Sequence, residues 1–363
     1  MTSHTEKPLA ALALTGLVLA LTPASATAQS GPTIHSPLTE NDVVVGGAKD
    51  ALIQVIQPGV HPYVAAGYAG FKEEAATLGL TNLQITQSNF DLSTEVANLQ
   101  NALAKGAKAI IIQAVSSEGV VPSIERANQQ GVCTVAVINN AGTGDGVVYP
   151  GMKGYVGWNE FDGGRRIGES LAQVMGGRGN VVVVQGVLAA GSPRQREAGA
   201  EAVWKEKYPD IKVIGMQPAN YDAGKARRVM QDFVQRFGTQ INGVLSITNN
   251  MATAAADALI GTKLEGKVPV VSYGGQKEFI DYIRQGKVWA TTPFAPKSDA
   301  AEALDLAVAC LNGDRKPVFF PETELPPVKT LSATTTSSIS PTSSCSNRSG
   351  DGQLRIARRR PER

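Results

Sequence analysis

The chain has 363 residues, of which 42% are hydrophobic and 18% charged, and its formal net charge is +2. This length is sufficient for two domains of ordinary size. The segment after Asn347 holds six Arg against two acidic residues, a net of +4, and so the rest of the chain carries −2. No basic surface is expected there, which argues against a nucleic-acid partner.

The N-terminal segment has the order of a secretory signal peptide. Lys7 precedes an apolar stretch over residues 9–21, and Ala-x-Ala cleavage sites end at Ala26 and Ala28. The apolar stretch is too short to span a bilayer. The alternative is a buried N-terminal helix, but no polar face accompanies the stretch. Residues 1–28 are therefore predicted to be removed on export.

Strand and helix patterns then alternate along the chain. An apolar run over residues 52–56 breaks at Pro58-Gly59 and is followed by a helical pattern, so the loop between them should lie at the carboxyl edge of a parallel sheet, where open α/β folds bind ligands. The predicted strands of this first series are residues 52–56, 83–86, 109–112 and 132–138, and the helices are residues 64–78, 93–105 and 116–130.

A Gly-rich stretch without a period, residues 141–154, is typical of a crossing between two lobes. A second series follows, with helices predicted over residues 162–175, 194–207, 223–237, 251–261, 276–285 and 298–311, and strands over residues 180–185, 212–216, 243–247, 268–272 and 288–292. The repeated alternation predicts an α/β fold with two Rossmann-like lobes, each built on a parallel sheet, and a ligand cleft between them.

We expect the N-terminal lobe to hold residues 41–140 and 294–319. The C-terminal lobe should hold residues 155–292 and 320–330. Cys133 falls in a predicted apolar strand and Cys310 in an apolar helix, and both are interpreted as small buried hydrophobic residues. A bridge between them in an oxidising compartment is the alternative.

No catalytic, metal-binding or cofactor-binding motif is found in the sequence. Of the three His, His61 stands alone in its loop, and no zinc, nucleophile-elbow or phosphate-loop motif is present. The protein is therefore not expected to be an enzyme. A carboxylate cluster assembled in space by the fold, as in a hydrolase, is the alternative.

Polar and aromatic residues instead follow the apolar strands. Amides and a guanidinium direct hydrogen bonds at the paired hydroxyls of a sugar or polyol, and aromatic rings pack on its C–H face. The candidate ligand-binding residues are His61, Tyr63, Asn139, Asn140, Trp158, Asn159, Arg194, Tyr221, Asn249, Asn250, Tyr273 and Phe294, with Thr248 beside them.

Each candidate also has a purely structural interpretation. Asn249 and Asn250 suit helix caps or turns, Trp158 could fill the hinge, Tyr221 could pack a lobe, and His61 could pack its own loop. Arg194 could be a surface helix residue, but its place at the start of a helix favours the cleft. We expect Arg194 to make the strongest single polar contact, with Asn139, Asn140 and Tyr221 around it.

Several segments together carry a resemblance to a known family. They are Asn98-Leu99-Gln100-Asn101 through Ala109-Ile110-Ile111-Ile112-Gln113, Gly157-Trp158-Asn159-Glu160-Phe161-Asp162-Gly163-Gly164, Val184-Gln185-Gly186, Arg194-Gln195-Arg196 with Gly199, Gln217-Pro218-Ala219-Asn220-Tyr221-Asp222, and Val270-Val271-Ser272-Tyr273-Gly274-Gly275. Over residues 43–325 the chain resembles the periplasmic sugar-binding proteins of the ribose-binding type. The resemblance implies two lobes joined by three crossings, a periplasmic monomer, and delivery of a sugar or polyol to an ABC permease. A sensory receptor subunit that signals without transport is the alternative.

The resemblance also implies roles for individual residues. His61 stands where the family often has a loop Asn, and Tyr63 and Tyr221 stand where it has stacking Phe residues. Asn139 and Asn140 occupy the position of the family's Asp-Arg or Asp-Ser pair. Arg194 keeps the family's Arg. Gly274 replaces a usual sugar-binding Asp, and Phe294 replaces a usual Gln. These losses favour a less hydroxylated, larger or partly apolar ligand.

The end of the chain departs from this pattern. Residues 331–363 are rich in Ser and Thr and end in an Arg-rich run, which predicts disorder. The resemblance implies instead a segment that crosses the hinge and packs on a lobe. A shifted reading frame near residue 330 explains the change, and a natural flexible tail is the alternative. Under a frameshift, Cys345 would have no role.

Overall fold

The computed structural model describes residues 46–142, 148–315, 318–321 and 331–332. Within these ranges the chain forms two six-stranded sheets flanked by helices. The predicted signal peptide and the predicted disordered tail, including its frameshift hypothesis and Cys345, lie outside the described residues, apart from the short strand at residues 331–332.

The first lobe is built on strands whose carboxyl ends share one edge. Its strands are β1 (Ile53–Gln57), β2 (Leu83–Gln87), β3 (Ala109–Ile112), β4 (Cys133–Val137), β5 (Gly154–Gly157) and β11 (Val318–Pro321), in the order β11-β5-β4-β3-β1-β2, and all pairs are parallel. Its helices are α1 (Pro62–Leu78), α2 (Leu92–Ala104), α3 (Val121–Gln129) and α9 (Pro296–Leu311).

The second lobe repeats this plan. Its strands are β6 (Arg178–Gln185), β7 (Asp210–Pro218), β8 (Ile241–Ser246), β9 (Val270–Gly274), β10 (Ala290–Pro293) and β12 (Leu331–Ser332), in the order β12-β10-β9-β8-β6-β7. All pairs are parallel except β10 with β12. Its helices are α4 (Glu160–Val174), α5 (Gly191–Lys207), α6 (Ala223–Phe237), α7 (Asn249–Asp257) and α8 (Lys277–Arg284).

Both faces of the first sheet are covered because its strands are apolar on both sides. Successive side chains of a strand point to opposite faces. Ile111 accordingly packs in a cluster with Phe71 of α1 and Leu304 of α9. Ile110 and Ile112 pack on the other face, in a cluster that includes Leu99 of α2 and Ile124 of α3. The continuous apolar runs in the sequence therefore indicated their doubly buried position correctly.

The predicted α/β architecture with two parallel-sheet lobes is confirmed, and most element boundaries differ by only a few residues. The helix predicted from residue 116 begins at Val121, since the Ser116 hydroxyl accepts from Gly119 N at 3.1 Å in a preceding turn and Pro122 suits a helix start. Strand β5 falls at the end of the stretch that was expected to be an irregular crossing. It lacks the apolar run that signals a buried strand.

The described strands and helices define three passages of the chain between the two sheets. The chain leaves β5 for α4 after Gly157, leaves β10 for α9 after Pro293, and passes from β11 to β12. The first crossing lies later than the sequence suggested, because β5 pairs with β4 and so belongs to the first lobe. Helix α9 returns to the first lobe and packs on α1, β3 and β4.

A disulfide joins Cys133 at the start of β4 to Cys310 near the end of α9, with the Cα atoms 6.0 Å apart. The interpretation of both residues as free buried hydrophobic side chains is therefore wrong. Their separation of 177 residues concealed the pairing, because only the return of α9 to the first lobe brings them together. The covalent loop encloses the whole of the second lobe up to β10.

We predict that Cys133→Ser lowers the free energy of unfolding by about 2–5 kcal/mol, because the bridge restricts a long loop in the unfolded chain. Urea denaturation followed by circular dichroism measures the change. A reductant should destabilise the wild-type protein by a similar amount and leave the variant unchanged. Equal stability of the oxidised protein and the variant would contradict the prediction.

Candidate functional site

A cavity of about 500 Å³, part of which is open to solvent, lies between the two lobes. The first lobe lines it with Pro58, His61, Tyr63, Val64, Phe90, Gln113 and Ile138, and the second with Ser192, Arg196, Tyr221, Thr248, Tyr273, Gly274 and Gln276, while Phe294 lies on the crossing after β10. Most of these residues follow the carboxyl end of a strand. The two sheets therefore meet edge to edge around the cavity, where parallel folds bind ligands.

A buried ion pair supports one wall of the cavity. The Arg196 guanidinium donates to Glu160 through Nε to Oε2 at 2.6 Å and through Nη2 to Oε1 at 2.7 Å. Its Nη1 donates to the Ile247 carbonyl at 3.2 Å. Both side chains of the pair are only 5% exposed. Burial lowers the pKa of Arg196, but the Glu160 carboxylate outweighs it and raises that pKa above its usual value.

The ion pair depends on the close approach of α4 and α5. A Cβ added at Gly164 of α4 would lie 2.3 Å from the Arg196 carbonyl oxygen, and one added at Gly199 of α5 would lie 2.0 Å from the Phe161 carbonyl oxygen. Only residues without a side chain permit such contact between helix backbones. Glycines therefore bring the two helices together, and with them Glu160 and Arg196.

The guanidinium of Arg196 also faces aromatic rings. Its Cζ lies 4.6 Å from the centroid of Phe294 and 5.1 Å from that of Tyr273, and these two rings stack 6.4 Å apart. A guanidinium has five N–H donors, of which three are engaged by Glu160 and Ile247. Two N–H groups consequently have no acceptor among the described residues.

Five of the twelve residues predicted for the site line the cavity, namely His61, Tyr63, Tyr221, Tyr273 and Phe294. The other seven do not line it: Asn139, Asn140, Trp158, Asn159, Arg194, Asn249 and Asn250. Most of these seven hold the backbone or the lining residues in place.

The predicted Asn residues mainly serve the backbone. Asn139 donates to the Ala114 carbonyl at 2.9 Å and accepts from Ser192 N at 3.3 Å, which connects the two lobes. Asn140 accepts from Ala141 N, and Asn159 caps α4 by accepting from Asp162 N, each at 2.9 Å. Asn249 accepts from the backbone N–H groups of residues 275 and 276 and donates to Thr291 Oγ1.

Trp158 and Tyr63 support the cavity from the hinge side. The ring of Trp158 lies 5.2 Å from Phe294, and its Nε1 donates to Asp299 Oδ2 at 3.4 Å. The Tyr63 hydroxyl donates to the same carboxylate oxygen. Asp299 is fully buried in α9. These two hydrogen bonds therefore connect the first lobe to Trp158, which lies on the crossing after β5.

Arg194 lies two residues before Arg196 on α5. Successive helical residues are rotated by 100°, so the two Arg side chains point in nearly opposite directions. Arg196 faces the cavity and is buried, whereas Arg194 is half-buried and does not line it. The sequence motif Arg-Gln-Arg identified the correct helix turn, but the choice between its two Arg residues depended on the helix phase.

Phe90 was missed by sequence reasoning, although the chain carries a signal for it. Asn89-Phe90-Asp91 follows β2, and Asn220-Tyr221-Asp222 follows β7 at the equivalent place in the second lobe. Both Asp residues cap the next helix, and the residues before them have positive φ angles of 51° and 57° in the first turn and 53° and 63° in the second.

The two turns project their aromatic rings into the cleft from opposite lobes. The rings of Phe90 and Tyr221 lie 5.6 Å apart. Positive φ angles at bulky residues are strained, and Ile138, which also lines the cavity, has one of 62°. Burial raises the pKa of Tyr221 to about 12, so its hydroxyl stays neutral.

Gly274 shows why a carboxylate is absent from its position. Its φ of 141° and an added Cβ that would lie 2.3 Å from Asn249 Oδ1 both exclude a side chain there. Among the residues that the structure describes, no Asp or Glu side chain lines the cavity. In the part of the chain that the structure describes, no group of three or more His, Cys, Asp or Glu could hold a metal ion.

None of the described helices combines the length and apolar character needed to cross a bilayer.

Comparison with known proteins identifies the family. A family model described as a periplasmic binding protein domain matches residues 55–315. The chain therefore belongs to the periplasmic binding protein family.

The chain is similar to two sugar-binding or polyol-binding proteins of known name. The xylitol-binding protein of Mycolicibacterium smegmatis is 28% identical over 227 residues, covering 62% of this chain and 63% of the relative, which is less than two thirds of its length. The ribose import binding protein RbsB of Salmonella typhimurium is 27% identical over 275 residues, covering 76% of this chain and 89% of the relative.

Solved structures show the same fold. The periplasmic component of the arabinose ABC transporter from Shewanella sp. ANA-3, bound to L-arabinofuranose, has a TM-score of 0.71 at 23% identity and covers 79% of this chain and 93% of its own. The Caulobacter myo-inositol binding protein has a TM-score of 0.69 at 24% identity, with coverage of 76% and 92%.

We predict that Arg196→Met lowers the free energy of unfolding by about 3–5 kcal/mol, because it leaves the Glu160 carboxylate buried without its cation. Adding Glu160→Gln should recover part of the loss. Arg194→Met is the matched control and should change stability by no more than about 0.5 kcal/mol. Urea denaturation measures all three variants, and equal losses for the two Arg variants would contradict the assignment.

Proposed function

We propose that this protein binds a neutral sugar or polyol between its lobes and delivers it to an ABC permease. The observation that carries the proposal is the set of polar groups that the cavity leaves available. The side-chain amides of Gln113 and Gln276 line the cavity and have no protein hydrogen-bond partner among the described residues. Two N–H groups of Arg196 are available in the same way. These groups donate and accept in fixed directions, as a ligand with several hydroxyls requires.

The charge of the cavity supports a neutral ligand. Arg196 is the cation of the lining, and Glu160 already compensates it through two hydrogen bonds. An anionic ligand would add a negative charge beside this balanced pair, and a cationic ligand would find no carboxylate among the described lining residues. Burying an unpaired charge is costly. Sugar acids and amino sugars should therefore bind more weakly than neutral sugars.

The aromatic lining supports a ligand with an apolar face. Tyr63, Phe90, Tyr221, Tyr273 and Phe294 surround the cavity. Aromatic rings pack well on C–H groups but offer nothing to additional hydroxyls. We therefore propose a ligand with fewer hydroxyls than a hexose, such as a deoxy sugar or a short polyol.

Export and transport follow from the same proposal. The curated relatives include a ribose import binding protein and a D-apiose import binding protein, which supports a periplasmic role beside a permease. The disulfide between Cys133 and Cys310 suits an oxidising compartment. We propose that the protein acts as a monomer, without catalysis, and that closure of the lobes on the ligand presents the surface that the permease recognises.

The proposal is tested by a thermal-shift panel on the purified protein. D-ribose, xylitol, L-arabinose and myo-inositol are compared with 2-deoxy-D-ribose and with the charged D-ribonate, and NMR of the same samples detects turnover. Neutral compounds should raise the melting temperature without being consumed, and D-ribonate should not. Consumption of a compound would favour a hydrolase, and no stabilisation by any neutral compound would contradict the proposed ligand class. A permease and an ATPase encoded beside the gene would support import over sensing.

We predict that Gln113→Ala and Gln276→Ala each weaken binding of the best compound by about 2- to 12-fold, since a neutral hydrogen bond contributes about 0.5–1.5 kcal/mol. Gln231→Ala, on the exposed face of α6, is the matched control and should bind normally. Isothermal titration calorimetry measures the dissociation constants. Normal affinity of both cavity variants would exclude the two amides from the site.

A further inference from the structure

Both ring nitrogens of His61 are engaged in hydrogen bonds. His61 is the N-cap of α1, and its Nδ1 accepts from Tyr63 N at 3.2 Å. Its Nε2 lies 2.9 Å from Oδ1 of Asn250. The imidazole therefore presents only its ring, and neither of its nitrogens, to the cavity.

The partners of Asn250 determine which nitrogen carries the proton. Asn250 Nδ2 donates to the Tyr221 carbonyl at 2.7 Å, and its Oδ1 accepts from the Thr248 hydroxyl at 2.7 Å. These contacts fix the orientation of the amide, so Oδ1 must accept from His61 Nε2. Nδ1 must remain unprotonated to accept from the backbone. His61 is thus held as one neutral tautomer, with its proton on Nε2.

This hydrogen bond joins the two lobes. His61 stands at the start of α1 in the first lobe, and Asn250 is the second residue of α7 in the second. Aromatic contacts surround the bond, since the ring of Tyr221 lies 5.8 Å from that of His61 and 5.6 Å from that of Phe90. We name His61, Phe90, Tyr221 and Asn250 the interlobe clasp.

We propose that His61 is a positioning residue that holds the lobes closed through Asn250, and that protonation of His61 opens the clasp. The inference rests on the proposed closure of the two lobes but requires no particular ligand. An imidazolium would carry a proton on Nδ1 that faces the Tyr63 N–H, so two donors would oppose each other. Protonation would therefore remove the neutral tautomer and, with it, the N-cap hydrogen bond of α1.

The charged and titratable groups around His61 favour its neutral form. Burial lowers its pKa, as does the Arg196 cation from α5, whereas the hydrogen bond to Asn250 raises it, and the net pKa is lowered from 6.5. Glu160 of α4 and Asp299 of α9 do not reverse this, because the first is bonded to Arg196 and the second to Tyr63 and Trp158. Tyr221 stays neutral, since its pKa is raised to about 12.

The sign of the pH dependence follows from this lowered pKa. In the open or unfolded chain His61 should titrate near its ordinary pKa of about 6.5. Above that pH the neutral imidazole is present in every state, and the clasp contributes fully. As the pH falls below 6.5, His61 of the open form binds a proton first, and His61 of the closed form binds one only when the pH reaches its lower pKa. Closure is therefore lost towards acidic pH.

The tautomer is tested by NMR of the full chain labelled with ¹⁵N-histidine. The chain has three His, at positions 4, 35 and 61, and His61→Asn identifies the signal of His61 by its loss. That signal should show a proton on Nε2 and should resist protonation at a pH where an exposed His is charged. In a protein that stayed closed, Asn250→Ala would lower the pKa of His61 further, because it removes a hydrogen bond that raises that pKa. A rise of the His61 pKa towards 6.5 in this variant is expected instead, because opening of the lobes exposes the imidazole to water. A His61 signal that titrates at 6.5 in the wild-type protein, or that shows the proton on Nδ1, would overturn the proposal.

Closure is tested by small-angle X-ray scattering on protein refolded without ligand. His61→Asn retains a good helix cap, but its side chain is too short to reach Asn250. At pH 7.5 this variant should have a larger radius of gyration than the wild-type protein, and the wild-type value should rise on acidification towards that of the variant. Gln100→Ala, on the exposed face of α2 in the same lobe, should change nothing.

A radius of gyration for His61→Asn equal to that of the wild-type protein at pH 7.5 would overturn the proposal. Circular dichroism verifies that each variant is folded, and the wild-type NMR and acidification measurements decide the matter if a variant is not. Because no measurement here uses a sugar, failure of the sugar panel would leave these results unaffected, and the two proposals can fail separately.

Discussion

The buried ion pair between Glu160 and Arg196 is the interaction on which the cleft depends. It joins α4 to α5, packs the guanidinium against Phe294 and Tyr273, and leaves two N–H groups without an acceptor among the described residues. A buried cation without a partner would be unstable, so the cavity requires Glu160 behind its lining as much as Arg196 within it. Glycines at positions 164 and 199 make the pairing geometrically attainable.

The two lobes contain the same kind of turn at the cleft. Each places an Asn, an aromatic residue and a capping Asp at the end of an outer strand, and each holds the aromatic residue at positive φ. The strained backbone is tolerated because the Asp of each turn caps the next helix and the two rings meet across the cleft. Repetition of the fold thus produces an aromatic pair that neither lobe could form alone.

His61 shows how the structural and functional interpretations of one residue can both apply. From the sequence, loop packing and ligand contact were competing roles for this side chain. The structure assigns one ring nitrogen to the helix cap and the other to Asn250 of the opposite lobe. Asn250, predicted to contact ligand, instead receives this bond and fixes the carbonyl of Tyr221. Several predicted amides therefore shape the site from outside its lining.

The amino-acid sequence was enough to predict the alternation of strands and helices, the two lobes, and the loops from which the lining comes, because apolar periodicity and Gly or Pro breaks are local properties. It also indicated Tyr63, Tyr221, Tyr273 and Phe294 as aromatic lining residues. The choice between Arg194 and Arg196 could not be made from the sequence, since it depends on which face of α5 meets α4 in the folded lobe. The pairing of Cys133 with Cys310 was hidden for a similar reason, because residues so distant in sequence become neighbours only when α9 crosses back to the first lobe.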